Sequence, residues 1–592
     1  MGLLAFLAVS STVLLVAYRL IGRFLARKFA LDAGAQTPAH RHRDGLDFEP
    51  ARTAYLLPQH LSAIAAAGPV VGPILAAIYF GWGPAWIWII VGGILIGGIH
   101  DFAALVGSVR HGGRTIAEIV RQHMNPRAHL LFLVFVWLAL VYVIIAFTDV
   151  TAATFVAKAS VEGGDAPGPA VASSSLLYLG LALAMGATLR FAGMSPLKAK
   201  LIYLPLVLLA IVAGSWIPLD LGPLFDGKAQ VAWGFILLAY CFFAALSPVW
   251  LLLQPRGELG GYFLYFVMIV VVVGVAVGAV VGGQPIQLPF FKGWESAAGA
   301  PLFPILFITV ACGACSGFHS IIASGTTSKQ LDKETDAVPV AYGSMLLESF
   351  FACITLATVM ILANPAGAPP SLYAGGIATF ARGIVSVFSP VVGELSNDQF
   401  YALFYQFALL CFATFVFDTL DACTRLARYV LMEALRWTTR PQAIAATLIT
   451  LALPAMVLLV PPVVVAGKPM PLWQVFWGIF GSSNQLLAAL SLLALTVWLA
   501  RKRMAWWITF FPTVFMMFMT LWSLFLNIGP YVKRLRGTDA IEPFAHMQFA
   551  ITVSLIVLSS WLIVEALITW RTMIGGPPRE AEVGGEEPAV AV

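Results

Sequence analysis

The sequence predicts an all-α polytopic membrane protein, a bundle of about 15 transmembrane helices. Three observations carry that prediction. Hydrophobic residues make up 60% of the 592 and charged residues only 11%. Apolar runs of roughly 20 residues, the length that crosses a bilayer, recur along the chain. The loops between them alternate between rich and poor in Lys and Arg. With a mean hydropathy of +0.89, a soluble fold has too little polar surface to enclose this composition, whereas lipid is itself an apolar solvent.

The predicted spans lie near 3–19, 61–80, 84–108, 129–156, 174–191, 197–216, 230–253, 260–282, 301–324, 338–363, 400–422, 442–463, 472–499, 505–528 and 548–570. The first run lacks a charged leader and an A-x-A site. Arg19, Arg23, Arg27 and Lys28 follow it, so it reads as a retained anchor. The stretch 371–390 contains Gly375, Gly376 and Arg382 and reads as a short amphipathic or re-entrant piece. The tail after Gly575 is rich in Gly, Pro and Glu and reads as disordered. Four regions follow: 1–53, an anchor and basic loop; 54–437, a core with broken helices; 438–575, additional helices; and 576–592, the tail.

Alternate loops hold about 26 of the 34 Lys and Arg. The positive-inside rule then predicts an N-terminus outside and a cytoplasmic C-terminus in a multi-pass inner-membrane protein. No basic stripe interleaved with aromatics argues for nucleic acid. The six cysteines all fall in apolar runs and read as small packing residues, Cys312 and Cys315 included.

Four motifs break the plain apolar pattern. The first opens the second span, where Gly68-Pro69 and Gly72-Pro73 deprive a helix of amide donors. Unwound backbone survives in a membrane where it is buried or lines a wet cavity, and transporters bind substrate at such breaks. The competing reading is a proline kink with close packing at the glycines.

The second runs from Cys312 to Lys329, with Ser316, Gly317, His319, Ser320, Ser324, Thr326, Thr327 and Ser328. Small residues let helices approach, which is the bland reading. Hydroxyls are also hard ligands for an ion, and a histidine titrates near neutral pH. The third motif is the set Asp101, Glu348, Asp418 and Asp421 in or beside apolar runs. Ionised carboxylates are costly there and call for a partner or a proton. Glu348 has no basic neighbour in sequence, Asp421 has Arg425 one turn on, and Asp101 lies near a span end, at headgroup depth. The fourth is Trp477 to Gln485, where Asn484 and Gln485 read as bridges between helices. A further break, Ser247-Pro248, falls in the 230–253 span.

Together these stretches resemble the carbon starvation protein A family of the bacterial and archaeal inner membrane. The matching residues are Ala67 to Pro73, His100-Asp101-Phe102, Ser247 to Arg256, Cys312 to Lys329, Met345 to Phe350, Asp418 to Arg425 and Trp477 to Gln485. One departure is Leu57-Pro58-Gln59-His60, where the family often carries two adjacent histidines. The resemblance implies a peptide or pyruvate transporter of the carbon-starvation response. It also implies a five-plus-five inverted repeat like that of the leucine transporter, with extra helices. Counted from 61–80, ten spans would end at 400–422, with 61–80 and 230–253 as the broken pair and 301–324 as the eighth.

The expected function is secondary import of a small carbon source, coupled to protons, with sodium as the alternative ion. Gly68, Pro69, Gly72, Pro73, Ser247, Ser316 and Gly317 are the expected substrate residues. His319, Glu348, Asp418 and Asp421 would carry the proton, and Ser324, Thr326 and Thr327 would hold a cation or close a gate. No catalytic residue, metal or other cofactor is expected. The expected partners are the substrate and the bilayer, and a homo-oligomer is compatible with the chain. A G-x-x-x-x-G-K-[ST] loop for nucleotide is absent, as are the H-E-x-x-H and G-x-S-x-G signs of an intramembrane enzyme. A nutrient sensor acting through a separate soluble partner is the rival reading.

Overall fold

The structure is a computed structural model that describes residues 2–44, 47–157, 167–392, 397–460, 463–465, 468–536 and 545–575. Helices dominate it because lipid offers no partner to a free amide or carbonyl, and a helix satisfies both internally. In chain order they are α1 (Leu3–Lys28), α2 (Pro38–Arg41), α3 (Thr53–Ile64), α4 (Gly68–Phe80), α5 (Trp82–Gly92), α6 (Gly98–Arg110) and α7 (Ile116–His123). There follow α8 (Pro126–Phe155), α9 (Pro167–Phe191), α10 (Pro196–Trp216), α11 (Ala229–Leu246), α12 (Leu253–Val281), α13 (Leu302–Thr309) and α14 (Gly317–Gly325). The last are α15 (Ser344–Met360), α16 (Pro369–Val392), α17 (Asn397–Leu435), α18 (Arg440–Leu458), α19 (Leu472–Arg501), α20 (Trp507–Arg536) and α21 (Ala545–Gly575). A two-stranded antiparallel ribbon, Val463–Val465 with Lys468–Met470, precedes α19.

Among the described residues thirteen helices are long and apolar enough to cross a membrane, and α3 with α4 forms a fourteenth span bent by 46°. The pair α13 and α14, interrupted over 310–316, completes the fifteen stretches that hydropathy marks. The expected re-entrant piece at 371–390 is the helix α16, packed on α12 and α17 and not among the candidate spans. The tail 576–592 lies outside the described residues.

The break in the second span falls at 65–67. Ala65 leaves helical geometry at ψ 62°, and Gly68-Pro69 restarts the chain as α4, proline being tolerated in a first turn. The partner of this break is not at Ser247-Pro248. Residues 247–252 link two full spans, α11 and α12, and so form a loop. The facing break is 310–316. A Cβ on Gly68 would lie 2.3 Å from Cys312 Sγ, and one on Gly72 would lie 2.6 Å from the Thr309 carbonyl. The two interruptions thus touch, and only glycine permits the approach.

Around the facing breaks, α8 packs against α17 and α11 against α18, while α12 packs on α3 and α19 on α14. The helix α19, which follows residue 437, thus reaches the second break.

Candidate functional site

Three elements meet beside the facing breaks. The helix α5–α6 carries a π-helical turn at Gly93–Gly97 just before His100 and Asp101. Another π turn, Val338–Gly343, precedes Glu348 on α15. Such turns re-phase the side chains that follow them and cluster at functional sites. The short helix α14 lies between and carries His319.

These helices align four titratable side chains in one row. His100 Nδ1 lies 2.8 Å from Asp101 Oδ1, and Asp101 Oδ2 lies 2.9 Å from His319 Nδ1. His319 Nε2 then lies 3.3 Å from Glu348 Oε2. All four side chains have 0% exposure. Neither oxygen of Glu348 has a hydrogen-bond partner among the described residues. Glycines let the helices close around the row, since a Cβ on Gly93 would meet Ser349 Oγ at 2.1 Å and one on Gly97 the Ala314 carbonyl at 2.3 Å.

Asp101 is therefore a core residue and not a headgroup residue. The span that carries it runs on to Arg110, about 13 Å beyond it along the helix. His319 and Glu348, singled out in the sequence, come together here. Asp418 and Asp421 do not join them. They pair with Arg256, Nε to Asp418 Oδ1 at 2.9 Å and Nη1 to Asp421 Oδ2 at 2.5 Å. Arg425 is not the partner of Asp421, because its Nη2 donates to the carbonyls of Ala244 at 2.8 Å and Ser247 at 2.5 Å. Ser247 thus sits in the α11–α12 loop, its own hydroxyl donating to the Ala244 carbonyl at 2.9 Å.

The break 310–316 is held by α19. Asn484 Oδ1 accepts the Phe318 amide at 2.9 Å, and Asn484 Nδ2 donates to Ser316 Oγ at 3.0 Å. Gln485 Nε2 donates to the carbonyls of Phe307 at 3.1 Å and Cys315 at 2.9 Å. These side chains satisfy backbone groups that an unwound segment leaves open. Gly317 packs on α19, where a Cβ would lie 2.3 Å from the Ala488 amide nitrogen. Pro69 and Pro73 lie on α4 and are buried with it.

Of the hydroxyls at the end of α14 and just beyond it, Ser324 donates to the Ser320 carbonyl at 2.6 Å and Thr326 to the Ile322 carbonyl at 3.0 Å. Thr327 reaches across to α3, its Oγ1 2.8 Å from His60 Nδ1. A small cavity lies beside this contact, lined by Gln59, His60, Ala63, Thr326, Thr327 and Asp418 among others. His60, His100 and Arg256 were not among the site residues expected from the sequence. The signal for Arg256 was weak, since a basic residue at a span end reads as a loop charge.

Both ends of this region are covered. On the side of the basic loops, Ala51 donates to the Gln330 carbonyl at 2.8 Å, and Arg110 Nε to Glu334 Oε1 at 2.7 Å. At the opposite end the amides of Trp82 and Gly83 donate to the carbonyls of Pro289 and Phe290 at 3.3 and 2.8 Å. The breaks and the row are thus covered at both ends, and the four side chains of the row are fully buried. No group of three or more His, Cys, Asp or Glu suited to a metal occurs among the described residues.

The sequence matches the family described as "Carbon starvation protein CstA" over residues 2–368 and 370–523. It is 32% identical over 607 residues to a "Peptide transporter CstA" of Campylobacter jejuni, covering 90% of this chain and 81% of that one. It is 33% identical to the Escherichia coli protein of the same name, covering 86% and 79% of the two chains. It is 32% identical to "Pyruvate/proton symporter BtsT" of Escherichia coli, covering 89% and 82%. Among solved structures it is similar to MhsT in complex with L-phenylalanine, with TM-score 0.46, 12% identity, and 88% and 98% of the two chains covered. The Eremococcus coleocola manganese transporter gives TM-score 0.44 at 14% identity, with 88% and 95% covered. This is a multi-pass membrane transporter, and the chain belongs to the carbon starvation protein CstA family.

Proposed function

We propose that this protein imports a small carboxylate-bearing carbon source, a peptide or pyruvate, together with a proton, in the response to carbon starvation. The observation that supports the proton is the row His100–Asp101–His319–Glu348. Two bare carboxylates around a neutral imidazole would bury two negative charges, at several kcal/mol each. One proton on His319 leaves a single net charge, and a second on Glu348 removes it. The row thus has reason to take up and release a proton as its surroundings change. The substrate classes come from the names of the relatives, one a pyruvate/proton symporter and others peptide transporters.

The substrate carboxylate would bind where the breaks face each other. Helix N-termini begin there at Gly68-Pro69 and Ser316-Gly317, and the positive ends of their dipoles favour an anion. Gly72 and Pro73 would shape the same wall. Asp418 and Asp421 would respond to the proton only through Arg256. Ser324, Thr326 and Thr327 would belong to the inner gate, because Thr327 bridges to His60 and the other two hydroxyls turn back on their own helix. The basic loops support an N-terminus outside and a cytoplasmic C-terminus.

The test is uptake into proteoliposomes of labelled pyruvate or labelled dialanine, with and without an inward proton gradient. Gradient-driven accumulation of one of them, abolished by Glu348→Gln, is the expected result. Equal uptake with and without the gradient would reject proton coupling.

A further inference from the structure

Arg256 begins the long helix α12, yet it is only 2% exposed and is surrounded by oxygen. Asp418 and Asp421 from α17 flank it. Its Nη1 also donates to Tyr240 Oη of α11, and that hydroxyl donates to Asp421 Oδ2 at 2.6 Å. Ser62 of α3 closes the ring by donating to Asp418 Oδ2 at 2.5 Å. Asp421 Oδ1 is buried and has no hydrogen-bond partner among the described residues. Gly260 makes the closure possible, because a Cβ there would lie 2.6 Å from Ser62 Oγ and 2.8 Å from Asp418 Oδ2.

Two carboxylates and two hydroxyls are hard oxygen donors, the set that binds a small metal cation. The guanidinium touches Asp418, Asp421 and Tyr240, and Ser62 joins them through Asp418. The cluster ties α3, the half-helix that bends at the break, to α11, α12 and α17. A diffusible ion there would enter and leave as α3 moves, whereas a side-chain cation cannot.

We propose that Arg256 is a tethered cation, filling an oxygen cage of Ser62, Tyr240, Asp418 and Asp421 that would otherwise bind sodium. The consequence for transport, a cycle independent of sodium, rests on the proton-coupled reading above; the cage itself does not. Removing one partner of a buried ion pair leaves the others uncompensated. Here it would leave two adjacent carboxylates around a space from which a guanidinium has gone.

The experiment compares purified wild type, Arg256→Lys and Arg256→Ala in sodium chloride and in choline chloride of equal strength, reading thermal unfolding. Transport is not measured, so failure of the proton-coupled reading leaves the result intact. Wild type and Arg256→Lys are expected to melt at the same temperature in both salts. Arg256→Ala is expected to melt lower in choline and to regain roughly 3 °C or more in sodium, saturably. Adding Asp421→Asn to Arg256→Ala is expected to remove the sodium response. Recovery of folded Arg256→Ala only when purified in sodium also supports the cage. Equal melting of Arg256→Ala in the two salts, loss of the variant in both, or a wild-type sodium response of the same size would overturn it.

Discussion

Nδ1 of His319 lies 2.9 Å from Oδ2 of Asp101, and neither side chain has any exposed surface. The pair joins α14, a helix of nine residues that follows the second break, to the long span Trp82–Arg110. A movement of α14 relative to α6 must stretch or break this contact. If the row carries the coupled proton as proposed, its proton state and the position of the broken helix are linked through this hydrogen bond.

Asp101→Asn tests that link, because asparagine keeps the shape and loses the charge. Hydrogen bonds to charged groups contribute about 1.5–3 kcal/mol, so gradient-driven uptake is expected to fall at least about tenfold. Exchange of substrate across proteoliposomes without a gradient is expected to survive. Equal loss of both activities would mean that Asp101 only holds the fold.

The touch between the breaks makes its own prediction. Gly68→Ala would drive a methyl to 2.3 Å from Cys312 Sγ and 2.4 Å from its Cβ. Overpacking of this kind costs about 1–3 kcal/mol. Cys312→Gly removes both clashing atoms, so the double variant is expected to melt closer to wild type than Gly68→Ala alone. Additive losses in a double-mutant cycle would place the two residues apart.

The spans were legible in the sequence because hydropathy is a local property and lipid demands about 20 apolar residues each time. His319 and Glu348 stood out because ionisable groups are costly at membrane depth. The partner of the first break was missed for a physical reason. Pro248 carries the usual signal for a break but lies in a loop, while 310–316 unwinds with no proline at all. It is held open instead by Asn484 and Gln485, about 170 residues downstream. Asp101 was given the wrong depth because its span runs to Arg110. Arg256 was hidden because its partner Asp421 lies 165 positions away, a pairing that only the tertiary fold brings about.

At the proposed inner gate, Thr327→Val keeps the volume and deletes the hydroxyl that meets His60. Loss of one hydrogen bond costs about 1 kcal/mol, roughly a fivefold shift in a two-state equilibrium. Ala63→Cys, beside the same cavity, supplies the probe. Its alkylation by an impermeant maleimide is expected to rise by about that factor in the Thr327→Val background. An unchanged rate would remove the His60–Thr327 contact from the gate.

Acid is expected to loosen the end of the bundle near α7, through His123. Burial pushes its pKa down to about 3, and His111, Arg501 and Lys502 act in the same direction. Its Nε2 lies 2.9 Å from Nε2 of His111, whose pKa burial also lowers. In the unfolded chain a histidine titrates near 6.5. The folded state thus holds this proton more weakly, so its contribution to stability is complete above about pH 6.5. That contribution is lost as pH falls from 6.5 toward 3. One proton changes stability by about 1.4 kcal/mol per pH unit, which amounts to about 2 kcal/mol by pH 5. His123→Gln removes the titration and keeps a hydrogen-bonding side chain. Thermal unfolding measured from pH 7.5 to pH 5 is expected to fall less steeply in the variant than in wild type. Parallel curves would show that other groups set the acid sensitivity.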